Sequence, residues 1–103
     1  MKLNVMDRML ALGLIPEKGT FVTLRVIQDA RNVLALSAKE IKEYDVRDGD
    51  KPGTVVWKSE GNKDKEIAIS SAACEMIKNE LKKLDDKSEL TINHMRLYEK
   101  FVG

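Results

Sequence analysis

The chain holds one cysteine, Cys74, and one histidine, His94, the two side chains best suited to nucleophilic or metal chemistry. A thiol beside an imidazole forms a nucleophile–base pair when a fold brings the two together. Cys74, however, falls on the apolar stripe of a predicted helix, where free cysteine commonly packs as a small hydrophobic residue. A zinc ion would also need Asp or Glu ligands here, which structural zinc sites seldom use. We therefore expect neither a catalytic pair nor a zinc site.

Other catalytic and binding motifs are absent from the sequence. Ser59, Ser70 and Ser71 lack a Gly-x-Ser-x-Gly context, and the six glycines form no phosphate-loop or dinucleotide pattern. The segment DVRDGD, residues 45–50, slightly resembles a calcium loop but lacks the correctly spaced glycine and the terminal glutamate of that motif. We expect a protein that is not an enzyme and that holds no metal or cofactor.

Composition predicts a single globular domain over residues 1–103. The chain is 43% hydrophobic and 34% charged, with a formal net charge of +1, which is ordinary for a folded soluble protein. Its 18 basic and 17 acidic residues are evenly spread, whereas nucleic-acid-binding proteins usually show a basic block or stripe. We find no apolar run long enough to span a bilayer and no signal peptide, and a lone cysteine fits a reducing compartment. The expected location is the cytoplasm.

Capping residues and apolar spacing predict two helices at the start of the chain. Asn4 is a candidate N-cap for a helix that ends near Gly13, because Pro16 disfavours helix at the residue before it. Residues 20–36 begin with β-branched side chains typical of a strand. Their apolar stripe nevertheless runs on without Gly or Pro, which favours a helix. Whether this segment starts as strand or helix stays open.

The middle of the chain combines a short helix with a loop. The pattern SAKE, residues 37–40, is a capping box that begins a third helix ending near Tyr44. The following residues, 47–53, contain Asp-Gly and Pro-Gly turn signals and are predicted to form a loop.

The second half of the chain is predicted to hold two strands and two helices. Strands are expected near residues 54–58 and 65–69, joined through a charged turn. Ser70 or Ser71 caps the fourth helix, and Thr91 caps the last. The predicted order is α-α-α-β-β-α-α, a small α+β domain whose helices pack on one face of a short antiparallel β-hairpin.

A helix, a turn, a short helix and a two-stranded ribbon are also the order of a winged helix-turn-helix. In that alternative, the third helix would read bases and the charged turn would be the wing. Candidate contacts to nucleic acid or phosphate are the basic residues of these elements: Lys39, Lys42, Arg47 and Lys58. Acidic residues alternate with these lysines and would face phosphate. The charge pattern therefore does not favour a nucleic-acid partner.

Trp57, the only tryptophan, supports two interpretations. Its ring can pack beneath the helices as the main core aromatic residue, or it can stand on the outer face of the hairpin as an anchor for a protein partner. Strand alternation puts Val55 and Trp57 on one side and Val56 and Lys58 on the other. This pairing favours Val55 and Trp57 on the inside.

The final helix is apolar on more than one side. One row consists of Met95, Tyr98 and Val102, and a second row begins at His94. A helix with one wide apolar stripe docks on its own core, whereas a helix that is apolar on two sides would lie between two chains of a homodimer. The candidate interface residues are therefore Trp57, Met95, Tyr98 and Val102.

Four segments cover well over half of the chain, in this order: LALGLIPEKGTFVTLRVI, SAKEIKEY, EIAIS running into AACEMIKNELKKLDD, and LTINHMRLYEKFVG. Together they resemble small uncharacterised proteins encoded by bacteriophages and prophages. The resemblance implies a bacterial host cytoplasm during infection or lysogeny, and it brings no catalytic signature. Small phage proteins of this sort often act by binding a host or defence component.

We therefore predict a non-enzymatic, phage-type binding protein that engages a host or defence-system protein as an inhibitor. It would be a homodimer if its last helix lies between two chains. One alternative is a winged-helix-like regulator that binds nucleic acid. Another is an oligomeric sponge for a small nucleotide signal. An exposed apolar patch would favour a protein partner, whereas basic side chains converging on one face would favour phosphate ligands.

Overall fold

Side-chain caps fix the start of four helices in the computed structural model, which describes residues 1–103. The Asn4 side chain accepts a hydrogen bond from the Asp7 N–H at 2.8 Å, and the Asp7 carboxylate accepts one from the Asn4 N–H at 3.1 Å. Ser37 forms the same reciprocal capping box with Glu40, and Ser70 and Thr20 each cap a further helix by accepting one backbone hydrogen bond. Each oxygen satisfies an amide that has no partner inside the helix. The predicted caps Asn4, Ser37 and Ser70 are confirmed.

Five α-helices account for most of the regular secondary structure. They are α1 (Val5–Leu14), α2 (Phe21–Leu34), α3 (Ala38–Glu43), α4 (Ser71–Asp86) and α5 (His94–Phe101). The segment that was open between strand and helix is helical from Phe21 onward. The first helix ends one residue beyond the predicted position, because Ile15 is extended before the proline.

The start of α5 differs from the prediction. Asn93 occupies the N-cap position, and its side chain makes no capping hydrogen bond. The Thr91 N–H instead donates to Nδ1 of His94 at 3.1 Å, and the Thr91 carbonyl accepts from the His94 N–H at 3.0 Å. Thr91 therefore belongs to a turn that precedes the helix, and its predicted role as the cap is wrong.

Four two-residue strands form two separate antiparallel pairs. They are β1 (Lys2–Leu3), β2 (Arg47–Asp48), β3 (Val55–Val56) and β4 (Lys65–Glu66), with a 3₁₀ helix at Ser59–Asn62. β2 pairs with β3 in a hairpin, while β4 pairs with β1. The α+β class is confirmed.

The predicted pairing of the two later strands with each other is wrong, and the start of the predicted loop is strand β2. The charged turn that was considered as a wing is instead occupied mainly by the 3₁₀ helix. The N-terminal segment takes the place that β3 was expected to occupy beside β4. The Met1 carbonyl accepts a hydrogen bond from the Ile67 N–H at 2.8 Å.

The core lies between α1, α2, α4 and α5, and α1 contacts the other three helices. Twelve buried apolar residues form it: Leu3, Ala11, Ile15, Ile27, Ala30, Leu34, Ile67, Ala73, Ile77, Leu81, Leu97 and Phe101. None of the helices combines the length and apolar character that crossing a membrane would require. The β2–β3 hairpin and the 3₁₀ helix lie outside this core and form the surface described next.

Candidate functional site

Trp57 lies between β3 and the 3₁₀ helix, and it is only half-buried. Its indole Nε1–H donates to the Asn62 Oδ1 at 2.9 Å, which fixes the orientation of the ring. Val55 and Trp57 are more covered than Val56 and Lys58, as strand alternation predicts. Of the two interpretations of Trp57, the one that makes it the main aromatic residue of the core is not supported, since the core cluster does not include it.

Gly61 is required beside the indole ring. A Cβ atom at this position would lie 2.7 Å from Cδ1 of Trp57 and 2.9 Å from Cγ2 of Val5. Both separations are shorter than carbon atoms tolerate, so the absence of a side chain allows the 3₁₀ helix to approach both residues.

Replacing Gly61 with alanine is expected to displace the indole ring and break its bond to Asn62. Overpacking of this kind costs about 1–3 kcal/mol of stability. Because the chain has one tryptophan, its fluorescence emission should shift to longer wavelength as the ring enters water. Gly13→Ala is the matched control, since Gly13 is an exposed helical residue with open space around its Cβ. Unchanged emission and stability for Gly61→Ala would contradict this packing.

An apolar groove lies on one side of Trp57, with a volume of about 370 Å³. Its lining residues come from α1, the hairpin and the turn before α5: Met6, Met9, Leu10, Gly53, Thr54, Val55, Trp57 and Asn93. None of them is charged. Met6 is 38% exposed although it falls on the apolar pattern of α1, because the groove separates it from the hairpin.

Two further recesses share the tryptophan ring. The edge recess, of about 280 Å³, follows the hairpin strand and is lined by Val55, Val56, Trp57 and Asn62. The cationic recess, of about 110 Å³, is lined by Asp45, Arg47, Val56, Trp57 and Lys58. Trp57 is therefore the common wall of three adjoining recesses, apolar at one end and charged at the other.

The four predicted basic contacts do not all come together. Arg47 and Lys58 share the cationic recess, whereas Lys39 and Lys42 are exposed on α3 and line none of the recesses. Arg47 also faces Asp45, with 3.5 Å between its Nε and a carboxylate oxygen. The surface therefore offers two neighbouring cations rather than a basic stripe.

The predicted interface residues of α5 are divided between the surface and the core. Met95 is 58% exposed, next to the turn that contributes Asn93 to the apolar groove. Tyr98 and Val102 are half-buried and pack against the core cluster. Desolvation and the nearby Asp85 carboxylate raise the pKa of the Tyr98 hydroxyl. The row of three side chains is therefore not one exposed patch.

Cys74 and His94 lie on different helices, and no hydrogen bond joins their side chains. Cys74 lies on α4 against the core, and burial raises the pKa of its thiol, which disfavours the thiolate. Nδ1 of His94 accepts from the Thr91 N–H and lies 3.0 Å from the Thr91 hydroxyl. Neither side chain faces any of the three recesses.

Arg8 of α1 is buried within the fold and makes four hydrogen bonds. Its guanidinium contacts both carboxylate oxygens of Glu40, at 2.6 and 3.1 Å. It also donates to the carbonyls of Leu34 and Ala35 at the end of α2, at 2.9 and 2.7 Å. The pair joins α1, α2 and α3 through charges that water scarcely reaches, since the two side chains are 4% and 9% exposed.

Glu40 connects the same network to β4. Its carboxylate accepts from Nζ of Lys65 and from the Ser37 N–H, each at 3.1 Å. The bonds from Arg8 outweigh the effect of burial, so the pKa of Glu40 is held well below its usual range. This network fixes one end of the segment that carries Trp57.

Asp7, the neighbour of Arg8 on α1, forms a second ionic contact, in which the carboxylate is buried and its partner Arg96 is half-exposed. Nε of Arg96 donates to the Asp7 carboxylate at 3.1 Å, and its guanidinium also contacts Asp64. These hydrogen bonds, led by the one to Asp7, raise the pKa of Arg96. Asp64 directly precedes Lys65, so both ionic networks converge on the end of the loop from Trp57 to β4.

Acid should weaken the Glu40 network. Because the pKa of Glu40 is lower in the folded protein than its unfolded value near 4.5, the stabilisation is complete above that value and is lost as the pH falls below it. The difference in unfolding free energy between the wild type and Glu40→Gln should narrow from pH 6 to pH 3 in urea titrations. Glu43→Gln, at an exposed position of α3, is the control. A Glu40→Gln difference that does not change with pH would contradict the assignment.

Neither ionic network was predicted from the sequence, nor was the grouping of Met6 and Met9 at the groove. Asp7 and Arg8 are visible as an adjacent charged pair inside the apolar pattern of α1, and that signal could have identified them. No family model, curated protein or solved structure matches this chain.

Proposed function

We propose that this protein is a non-enzymatic binding protein that engages a protein partner through the surface around Trp57. The apolar groove supports this most directly, because it brings Met6, Met9 and Trp57 together at the surface without a charged lining residue. Tryptophan is enriched among the residues that dominate binding energy, and methionine adapts to varied apolar surfaces.

Charge favours a protein over nucleic acid. Within residues 45–60, which carry the hairpin, three basic side chains are outnumbered by four acidic ones. Phosphate binding requires an excess of positive charge, because neutralised phosphates supply most of the affinity. The strands of the supposed wing also pair with other segments. A winged-helix nucleic-acid binder therefore has less support.

The partner we propose is a bacterial host or defence-system protein, and inhibition is the proposed form of the activity. The resemblance of the four sequence segments to small phage and prophage proteins supports this extension. The local environment of Trp57 supports binding independently of that resemblance, so the two parts of the proposal can fail separately.

Affinity capture from a bacterial lysate tests the proposal. Tagged wild-type protein should retain one protein in fixed proportion, in both nuclease-treated and untreated halves of the lysate. Trp57→Ala should lose that protein, because truncating a central anchor typically costs about 2 kcal/mol or more of binding free energy. Phe21→Ala is the matched control, since Phe21 is 75% exposed and lines none of the recesses.

Three outcomes separate the alternatives. Retention of the same protein by wild type and Phe21→Ala, but not by Trp57→Ala, would support the proposal. Nucleic acid that co-purifies only in the untreated half and elutes with modest salt would contradict it. Equal capture by Trp57→Ala would show that another surface binds the partner.

A further inference from the structure

One edge of strand β3 has no neighbour. The hairpin contains only β2 and β3. Around β3, the even-numbered residues direct their backbone N–H and C=O groups toward the β2 side. The Thr54 carbonyl accepts from the Gly49 N–H at 2.9 Å, and the Lys58 N–H donates to the Tyr44 carbonyl at 2.7 Å. Backbone groups of alternate residues point to opposite edges of a strand. Those of Val55 and Trp57 therefore point away from β2.

The backbone of Trp57 is unpaired as this alternation requires. Its N–H and C=O take part in none of the hydrogen bonds within the protein. Residues 55–57, which form this edge of the hairpin, also line the edge recess. An unpaired edge of this kind can accept another strand through main-chain hydrogen bonds.

The side chains of residues 55–58 point alternately to the two faces of the hairpin, and each face carries a recess. Val55 and Trp57 line the apolar groove on one face. Val56 and Lys58 line the cationic recess on the other face, together with Asp45 and with Arg47, which is directly opposite Val56 in the hairpin. The Trp57 ring borders both recesses. Successive side chains of an added strand would also point to alternate faces, and would therefore enter the two recesses in turn.

We propose that an extended segment of the partner adds to the free edge of β3 as a further strand. It places an apolar side chain in the apolar groove and an acidic side chain against Lys58 and Arg47. Because the recesses are on opposite faces, these two side chains are an odd number of positions apart in the segment. This inference rests on the proposed function, and it specifies how the partner is recognised.

Charge complementarity supports an acidic side chain. Lys58 takes part in none of the ion pairs of the protein. The pair between Arg47 and Asp45 is exposed, with side chains 70% and 54% accessible, so an incoming carboxylate can compete for Arg47 at little cost. The indole N–H of Trp57 already binds Asn62, which leaves the ring as an apolar wall.

A second copy of this chain fits the edge less well. Residues 53–58, which its own outer strand would contribute, contain Lys58 and no acidic residue. Pairing two such edges would bring no carboxylate to Lys58, which has no ion-pair partner in the protein. The partner segment is therefore expected to come from another protein.

A displayed library of random octapeptides provides the probe. Selection on the wild-type protein should enrich peptides with an apolar residue and Asp or Glu at an odd spacing. Selection on Lys58→Glu should replace the acidic residue with Lys or Arg. Enrichment without a charge preference, or the same acidic preference on Lys58→Glu, would overturn the proposal. So would a failure to enrich any peptide.

The backbone contribution is tested with one enriched peptide, synthesised with a fluorescent label and titrated by fluorescence anisotropy, which also reports on variants that lack the tryptophan. Val55→Pro removes an edge N–H but leaves the bonds toward β2 intact, a position where strands tolerate proline. It should weaken binding at least tenfold, whereas Phe21→Ala, at a residue that lines none of the recesses, should remain within threefold. Circular dichroism checks that both variants fold.

The outcomes distinguish this inference from the function on which it rests. If Val55→Pro binds the peptide and the captured partner as tightly as wild type, while Trp57→Ala loses both, strand addition is overturned and the Trp57 surface stands. If neither variant loses the partner, both proposals fail. Dimerisation of the wild type that is lost in Val55→Pro would assign the edge to a second copy and overturn the inference.

Discussion

Replacing Arg8 with methionine is expected to lower the free energy of unfolding by about 3–5 kcal/mol, because removing one member of a buried ion pair leaves the other charge uncompensated. Glu40 would keep its bond from Lys65, but that lysine is 55% exposed and compensates the carboxylate less well. The carbonyls of Leu34 and Ala35 would also lose their donor. Denaturant titration of the purified variant measures the effect.

Two further variants control for this prediction. The double variant with Arg8→Met and Glu40→Met should be more stable than Arg8→Met alone, since apolar replacement of both members removes the unpaired charge. Arg47→Met, which breaks an exposed pair, should cost less than about 1 kcal/mol. If Arg8→Met were no more harmful than Arg47→Met, the buried network would not be a principal support of the fold.

Replacing Ile77 with alanine is the second large effect that we expect, a loss of about 2–5 kcal/mol. Ile77 is fully buried on α4, within the core that α4 shares with α1, α2 and α5. The truncation removes apolar contacts and leaves a cavity that a close-packed interior fills only in part. Thermal and urea unfolding measure the loss.

A conservative variant and a surface variant bracket this result. Ile77→Val should cost only about 0.5–1.5 kcal/mol, and Ile92→Ala, at a side chain that is 84% exposed, should stay within about 0.5 kcal/mol. An Ile77→Ala variant as stable as Ile92→Ala would place the core elsewhere.

Most helices could be predicted because their determinants are local. Asn4, Ser37 and Ser70 each accept a hydrogen bond from an amide three residues ahead, so four residues of sequence suffice to recognise them. Thr91 was misassigned for a related reason. It too lies near a helix start, but the helix begins three residues later at His94, and the Thr91 N–H donates to the His94 ring.

The strand pairing could not be predicted, because it depends on contacts between distant segments. β4 pairs with Lys2 and Leu3 across more than 60 residues of chain, whereas sequence reasoning pairs strands that follow each other. A two-residue strand also carries too little alternation to specify a partner. The ladder is set by the packing of the N-terminus against the core.

The candidate site was predictable in part. The sequence identified Trp57 as an anchor or a core residue, and it placed Arg47 and Lys58 among the basic contacts. The groove itself could not be predicted, because periodicity shows which side chains of α1 share a face but not whether a groove opens between that face and the hairpin. Periodicity also did not show that the wide apolar stripe of α5 docks on its own core, where Tyr98 and Val102 pack.

The most direct test of the proposed binding role is the affinity of the purified, captured partner for wild type, Trp57→Ala and Phe21→Ala, measured by isothermal titration calorimetry. We predict that Trp57→Ala binds about 30-fold more weakly, corresponding to roughly 2 kcal/mol. Phe21→Ala should bind within about threefold of wild type, which is within 0.7 kcal/mol. Equal affinities for Trp57→Ala and the wild type would contradict the role assigned to this surface.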